Sequence, residues 1–240
     1  MTAFRALPFA ALSMFAQAAS PVIALDVGHY NEKPGAMSAR GQTELSFNQA
    51  LEPIVADALK QHGATPIAIG LAGDMASLTA RPRAAEAAGA KFFLSLHHDS
   101  TQAEFMQSWD WQGTQRQYSD HTSGFSIFVS RLNPQVATSL KCASAIGTAL
   151  VAAGFHPNES HAEHIHGEYK EWADKAHGVY YFDKLVVLKS ASMPAALLES
   201  GVIVNRDEEL VLSKPETRQA IAKAVADGLA SCGMIGTPAV

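Results

Sequence analysis

The sequence predicts an α/β fold in which a β-sheet is packed between helices. Apolar runs of strand length, such as PVIALDVG and KFFLSLHH, alternate with helical patterns along the first hundred residues. The chain has 240 residues, of which 48% are hydrophobic and 17% charged, so it can bury one sizeable core. We therefore expect a single catalytic-sized domain.

The first half of the chain reads as strand, helix, strand, helix, strand. PVIALDVG is a buried strand that ends where Gly28 allows a turn, and a loop rich in Gly, Pro and Ser follows. Thr43 is placed to cap a helix over residues 44–62, and Gly63 ends it. ATPIAIG is the second strand, SLTARPRAAEAAGA forms a second helix that Gly89 stops, and KFFLSLHH is the third strand.

The second half alternates regular elements with two insertions. The insertions lie near residues 101–124, where no periodic pattern is found, and near residues 156–180, which are irregular and charged. Between and after them we expect a strand at GFSIFVS, a helix over 135–153, short strands at LVVLK and AALLESG, and an amphipathic helix over 215–231.

Three apolar strands end abruptly in residues suited to metal binding or proton transfer: His29, His97 and Glu199. Loops at one edge of an α/β sheet gather such residues into one crevice. Glu44 starts the helix that follows the His29 loop, so it is also expected there.

Two imidazoles and one carboxylate leave a fourth tetrahedral position for water, which is the arrangement of a catalytic Zn2+ site. A further carboxylate, Glu199, is then placed to move the proton of that water to a leaving amine. Taken singly, a histidine at a strand end is more often a surface residue, and a glutamate at a helix start often only complements the helix dipole.

In order along the chain, IALDVGHY, ELSFNQALEPIVADALKQHGA, SLTARPRAAEAAGAKFFLSLHHDS, GFSIFVS and LVVLKSASMPAALLESGVIVNRDEELVL resemble the zinc-dependent N-acetylmuramoyl-L-alanine amidases of the amidase 3 type. The resemblance implies a mixed, mostly parallel sheet of about six strands and one zinc ion. It places the zinc ligands at His29, Glu44 and His97 and the catalytic residue at Glu199. The implied reaction is hydrolysis of the amide between the muramic acid lactyl group and L-alanine of peptidoglycan.

His97 is followed by a second histidine, His98, and only one of the two can readily face the crevice because side chains alternate along a strand. His98 is interpreted either as a packed or surface histidine or as a neighbour that hydrogen-bonds the substrate. Asn48 and Asp99 are further candidates for residues that surround the site or contact the substrate.

The second insertion holds five histidines and several glutamates, and three interpretations stay open. It is a solvated or substrate-lining loop, a self-inhibiting segment that places Glu163, Glu168 or Glu171 on the zinc, or a second metal site in which His161, His164 and Glu168 share a helical face. A protein activator that moves this segment is a related hypothesis.

The first insertion concentrates aromatic residues at Trp109, Trp111 and Tyr118. Aromatic faces of this kind either stack on sugar rings and peptide planes or pack down to anchor the loop. The sequence does not favour one over the other.

The N-terminus predicts export. Residues 1–18 carry one positive charge at Arg5, a short apolar run and a small-x-small pattern, so we expect a signal peptide cleaved after Ala18, with residues 19–240 forming the catalytic domain. The mature protein is then periplasmic in a Gram-negative cell, or secreted. In such a compartment Cys142 and Cys232 can form a disulfide, the alternative being two buried thiols.

A net charge of −5 and the lack of a basic stretch argue against a nucleic-acid partner, and no further segment is long enough to span a membrane. We expect a monomer that acts on peptidoglycan or muropeptides. Two rival functions remain: a zinc carboxypeptidase-like peptidase, and an exported zinc- or wall-binding protein without catalytic activity.

Overall fold

A seven-stranded β-sheet runs through the middle of the protein, and the computed structural model describes residues 19–165 and 169–237. The strands are β1 (Val22–Val27), β2 (Thr65–Ile69), β3 (Phe92–Asp99), β4 (Gln107–Trp111), β5 (Thr114–Tyr118), β6 (Ser126–Val129), β7 (Glu171–Asp174), β8 (Val179–Tyr181) and β9 (Ala195–Val202). The sheet has the order β2-β1-β3-β9-β6-β8-β7, and β4 pairs only with β5.

Most neighbours in this sheet are parallel. The pairs β1/β2, β1/β3, β3/β9 and β6/β8 are parallel, whereas β6/β9 and β7/β8 are antiparallel. The mixed, mostly parallel sheet is confirmed, with seven strands where about six were expected. The parallel strands β1, β3 and β9 end at the same edge, which is where the candidate site lies.

Helices cover both faces of the sheet. They are α1 (Glu44–Gln61), α2 (Ala80–Ala87), α3 (Val136–Ala152), α4 (Val186–Lys189), α5 (Arg206–Leu212) and α6 (Pro215–Ser231). One apolar core lies between the sheet and α1, α3 and α6, and a second lies between the sheet and α2 and α4. Side chains alternate along a strand, so neighbouring residues of β3 pack into different cores: Leu94 into the first and Phe93 into the second.

The N-terminus of α1 is fixed where the sequence predicted. The Thr43 side chain accepts a hydrogen bond from the Ser46 backbone N–H, which satisfies one of the unpaired donors of the first turn. Glu44 is the first residue of the helix, so its carboxylate is held at the strand edge by a rigid element.

Three local predictions need correction. LVVLK forms the one-turn helix α4 in place of a strand, because an apolar run this short does not distinguish the two, and β8 fills the sheet position instead. The first insertion is not an irregular loop, since β4 and β5 form an antiparallel hairpin in it. The second insertion contains the strands β7 and β8.

Cys142 on α3 and Cys232 at the end of α6 are joined by a disulfide across 90 residues of chain. Both cysteines are buried in the first core, so the bond ties two packed helices together. Among the described residues, none of the helices combines the length and apolar character needed to cross a membrane. The predicted signal peptide lies outside the described residues.

Candidate metal centre

His29, Glu44 and His97 meet at the carboxyl ends of the central strands β1 and β3. One ligand atom from each lies within 4.8 Å of the others. The Glu44 carboxylate stands between the imidazoles: its Oε2 is 2.8 Å from His29 Nε2, and its Oε1 is 2.8 Å from His97 Nδ1. The two imidazole rings contact each other edge to face, with centroids 4.9 Å apart.

Backbone amides and imidazoles fix the Glu44 carboxylate in its charged form. Ala36 N–H donates to Oε2 at 3.1 Å and His98 N–H donates to Oε1 at 3.3 Å. Burial by itself raises the pKa of Glu44, but hydrogen bonds from His29 and His97 outweigh burial and hold the pKa well below its usual range. The cluster therefore presents a carboxylate, not a carboxylic acid.

Two glycines leave the space that the cluster occupies. A Cβ added to Gly28 would lie 2.2 Å from His97 Nε2, which is closer than van der Waals contact allows. A Cβ added to Gly35 would lie 2.4 Å from Glu44 Oε2, and Gly35 also has a positive φ of 81°. Close approach of the backbone to these side chains is thus built into the loop after β1.

Arg81 of α2 holds the strand end behind His29. It is 1% exposed, and its guanidinium donates to Asp26 Oδ1 at 2.7 Å and to the carbonyl oxygens of Val27, His29 and Met75. His29 has a φ of 72°, which is uncommon for a residue other than glycine. We interpret the hydrogen bond to the His29 carbonyl as one of the contacts that maintain this conformation.

Sequence reasoning missed Arg81. An arginine within a helical pattern is usually a surface residue, and nothing in its spacing marks it as buried. The available signal was Asp26, a carboxylate inside an apolar strand, because a buried charge requires a partner.

The three ligand side chains fit a zinc ion. Imidazole nitrogens and carboxylate oxygens are zinc ligands, and catalytic sites use three protein ligands with one position left open. The separation of the donor atoms, the ionised Glu44 and the space left by Gly28 and Gly35 all suit one small cation.

Glu199 lies next to His97 across the β3/β9 pair, where the two residues are in register. Its Oε2 is buried and has no hydrogen-bond partner in the described part of the chain. Burial, and then the negative charges of Asp99 and Glu44, raise the pKa of Glu199 well above its usual range. A carboxyl group of this kind can hold a proton near neutral pH.

His98 points to the opposite face of β3 and is packed. Its Nδ1 lies 2.7 Å from Asn48 Oδ1, and its ring contacts Phe47. Burial lowers the pKa of His98 to about 3, so the ring is neutral. Asn48 also donates to the Gly28 carbonyl at 3.2 Å, so His98 and Asn48 link α1 to the ends of β1 and β3.

Asp99 faces the second insertion. His161 Nε2 lies 2.6 Å from Asp99 Oδ2, and Asn158 Nδ2 donates to the same oxygen at 3.3 Å. His161 is buried, and its ring contacts Phe128 and Tyr180. Part of the second insertion is thereby attached to the strand that carries His97.

Two of the three carboxylates considered as inhibitors, Glu163 and Glu171, have other partners in this structure. Glu163 lies 3.4 Å from His121, and Glu171 lies on β7 at the far edge of the sheet, 2.7 Å from Arg131. Glu168 lies outside the described residues. Within residues 19–165 and 169–237, His29, Glu44 and His97 form the one metal-competent group. The second metal site predicted for His161, His164 and Glu168 includes a residue outside the described ranges, so it stays a prediction.

The aromatic residues of the first insertion pack down on neighbouring loops. Trp109 Nε1 donates to the Ala39 carbonyl at 3.0 Å. The Arg40 guanidinium lies 4.8 Å from the centroid of Trp111, and that of Arg206 lies 3.9 Å from the centroid of Tyr118. Of the two interpretations left open by the sequence, anchoring of the hairpin matches these contacts.

Comparison with known proteins points in one direction. Residues 23–231 match the family model described as N-acetylmuramoyl-L-alanine amidase. The protein YqiI of Bacillus subtilis (strain 168), described as uncharacterized, is 28% identical over 224 residues, which cover 92% of this chain and 90% of YqiI.

Solved structures of such amidases have a similar fold. The catalytic domain of CwlV from Bacillus (Paenibacillus) polymyxa var. colistinus is 23% identical with a TM-score of 0.66, covering 88% of this chain and 97% of that one. Ami1 from Mycobacterium smegmatis is 20% identical with a TM-score of 0.70, covering 89% and 97%. The CwlD amidase from Clostridioides difficile, solved in complex with the GerS lipoprotein, is 17% identical with a TM-score of 0.65, covering 89% and 98%.

Proposed function

Because this chain belongs to the N-acetylmuramoyl-L-alanine amidase family, we propose that it is a zinc-dependent enzyme that hydrolyses the amide between N-acetylmuramic acid and L-alanine of peptidoglycan. The observation that carries the proposal is the position of Glu199, a buried carboxyl group with an unpartnered Oε2, in register with His97 of the metal-competent cluster.

His29, Glu44 and His97 would hold the zinc ion. Bound there, zinc would lower the pKa of a water molecule and polarise the carbonyl of the scissile amide. Arg81 keeps the backbone of His29 in place, and His98 donates its backbone N–H to Glu44. These contacts fix the directions from which the ligand side chains approach, which is the usual role of such supporting groups.

Glu199 moves the proton. Its Oε2 accepts a proton from the attacking water as the new C–O bond forms at the lactyl carbonyl carbon. The same proton passes to the amide nitrogen as the C–N bond breaks, which releases the lactyl carboxylic acid and the free amine of L-alanine. The acid then loses its remaining proton, which the amine or the solvent takes up. The burial that raises the pKa of Glu199 favours this exchange of one proton near neutral pH.

The rival functions predict different products or none. A zinc carboxypeptidase-like peptidase would release a terminal amino acid and leave the muramoyl amide intact. A zinc- or wall-binding protein without catalytic activity has no use for a carboxyl group whose Oε2 is buried without a hydrogen-bond partner at this position.

Product analysis distinguishes these functions. Peptidoglycan is digested with the mature protein, with zinc and after chelation, and the soluble products are identified by mass spectrometry. We expect intact stem peptides that begin with a free L-alanine amine, and only when zinc is present. Release of single C-terminal amino acids, or digestion that continues after complete metal removal, would contradict the proposal.

The proposed place of action is outside the cytoplasm. The pattern of residues 1–18 supports export and cleavage after Ala18, to the periplasm or the medium according to the envelope. N-terminal sequencing of the exported protein is expected to begin at Ala19. A protein that keeps Met1 and stays inside the cell would contradict export.

A protein partner is a further part of the proposal. CwlD of Clostridioides difficile has been solved in complex with the GerS lipoprotein. We extend to this chain only the expectation that an activator acts on the second insertion, which is joined to the site through Asp99. The test measures amidase activity with and without the exported protein fraction of the native cell. Wild-type protein that needs this fraction for activity, together with a variant with an altered second insertion that is active without it, would support the proposal.

A further inference from the structure

Two separate cavities adjoin the candidate site. We call the first the apolar cavity. It has a volume of about 380 Å3, within the usual range of ligand pockets, and His29 and His97 line one end of it. Its apolar wall consists of aliphatic side chains from β9, the N-terminus of α4 and the segment before α2, among them Leu78, Leu185 and Leu197, and the paired Arg81 and Asp26 also line it. The exposed ammonium-bearing side chain of Lys33 also lines it.

We call the second the insertion cavity. It has a volume of about 200 Å3 and shares no lining residue with the apolar cavity. Asp99, two positions beyond His97 on the same strand, lines it. Its other lining residues are mostly hydroxyl, amide and charged side chains together with one aromatic ring: Ser100, Thr101, Gln102, Phe105, Ser160, His161, Glu163 and Ile165.

Contacts between the two insertions build this second cavity. Phe105 of the first insertion stacks on His121, with ring centroids 3.7 Å apart, and His121 in turn lies 3.4 Å from Glu163 of the second insertion. On the other side, His161 is 8% exposed and lies 2.6 Å from Asp99. The cavity is therefore a place where both insertions meet the end of β3.

The two cavities differ in charge as well as polarity. Asp99 and Glu163 line the insertion cavity, and each of these carboxylates lies beside a histidine, His161 and His121 respectively. Asp26 is the one carboxylate among the lining residues of the apolar cavity; it is paired with Arg81, and Lys33 adds a positive charge.

The two arms of the proposed substrate differ in the same way. The glycan arm is neutral beyond the lactyl group and rich in hydroxyl groups, and its ring faces can stack on an aromatic side chain. The stem-peptide arm carries methyl groups, methylene groups and carboxylates. We propose that the insertion cavity binds the glycan arm and that the apolar cavity binds the stem peptide, with the scissile amide between them at the metal centre; this orientation rests on the proposed function.

The test compares how each cavity responds to lengthening one arm of the substrate. Three substrates are used: N-acetylmuramoyl dipeptide, the same dipeptide on a tetrasaccharide, and N-acetylmuramoyl tetrapeptide. The glycan ratio is kcat/KM for the tetrasaccharide divided by kcat/KM for the first substrate, and the peptide ratio is defined likewise for the tetrapeptide. Each ratio cancels effects that are common to all substrates.

We expect Phe105→Ala to lower the glycan ratio about three- to tenfold, the range given by loss of one aromatic contact, and to leave the peptide ratio within about twofold. Leu185→Ala is expected to do the reverse. Tyr169→Ala is the matched control, because this aromatic residue also belongs to an insertion but stacks on His164 and does not line the cavity.

Other outcomes overturn the orientation. If Phe105→Ala lowers the peptide ratio and Leu185→Ala the glycan ratio, the arms are reversed. If neither variant changes either ratio, the cavities do not bind the arms. Failure of the proposed function itself looks different, because the wild-type protein with zinc would then hydrolyse none of the three substrates.

Discussion

Replacing Arg81 by methionine would test how buried charges behind the metal centre maintain it. The side chains of Arg81 and Asp26 are 2% and 0% exposed, and Arg81 Nη1 lies 2.7 Å from Asp26 Oδ1. Ser95 Oγ also donates to the Asp26 carboxylate at 2.6 Å. Arg81→Met would leave Asp26 buried with its charge no longer paired.

The expected loss is large because removal of one partner from a buried ion pair costs about 3–5 kcal/mol. For a protein of this size, 1 kcal/mol corresponds to about 2–4 °C, so Tm should fall by about 6–20 °C. The variant should also bind zinc more weakly at a temperature where it is still folded, because Arg81 no longer donates to the His29 carbonyl.

Urea denaturation followed by circular dichroism would measure the change in the free energy of unfolding. Arg83→Met is the matched control, since Arg83 is exposed on the same helix and hydrogen-bonds to Thr79 one turn away; its effect should stay within about 0.5 kcal/mol. Arg81→Met combined with Asp26→Asn should recover part of the loss, because the unpaired charge is gone. A loss below about 1 kcal/mol for Arg81→Met would refute this reasoning.

Three further perturbations have defined outcomes. Burial raises the pKa of Glu208 to about 7, so its contribution to stability is complete below its ordinary pKa of 4.5 and is lost as pH rises through 7. Between pH 4 and 8 the free energy of unfolding should therefore fall by about 3 kcal/mol more in the wild-type protein than in Glu208→Gln. Replacing both Cys142 and Cys232 by alanine should lower the free energy of unfolding by about 2–5 kcal/mol, as expected for a closed loop of 90 residues. Gly28→Ala should lower zinc content and activity together, because the new methyl group would occupy the space of the His97 ring.

Each of these has a control. Equal pH dependence in wild-type protein and Glu208→Gln would show that Glu208 does not titrate as described. Reducing agent should destabilise wild-type protein but leave the double alanine variant unchanged, and equal sensitivity would argue against the disulfide. Gly63→Ala, where no atom lies within 4 Å of the added Cβ, should keep its zinc although its positive φ lowers stability. Full zinc binding by Gly28→Ala would contradict the claim that Gly28 leaves space for the His97 ring.

The sequence predicted those parts of the fold and site that follow from local patterns. Buried runs identified β1, β3 and β9, and the 3.6-residue period and Thr43 identified α1. The abrupt polar ends of the strands then brought His29, His97 and Glu199 to one edge, where the structure places them. Alternation along β3 correctly separated His97 from His98.

Other parts depend on contacts that no local pattern encodes. The hairpin of β4 and β5 is held by contacts of its aromatic residues with Arg40 and with Arg206 of α5, so its inner face is only half-buried and belongs to neither apolar core. LVVLK is too short for its period to distinguish helix from strand. The ion pair of Arg81 with Asp26 joins residues that are 55 positions apart in the sequence, and the contact of His161 with Asp99 joins residues that are 62 positions apart.

The most direct test of the central claim is the zinc content and amidase activity of Glu199→Gln, measured on the same preparation. Elemental analysis should find one zinc ion per chain, as in the wild-type protein, while release of stem peptides from peptidoglycan falls by at least about a hundredfold, because general acid–base catalysis by one residue contributes about that much or more. His97→Ala should lose both the zinc and the activity. A Glu199→Gln protein that keeps its zinc and still cleaves the muramoyl amide at the wild-type rate would contradict the proposed role of Glu199.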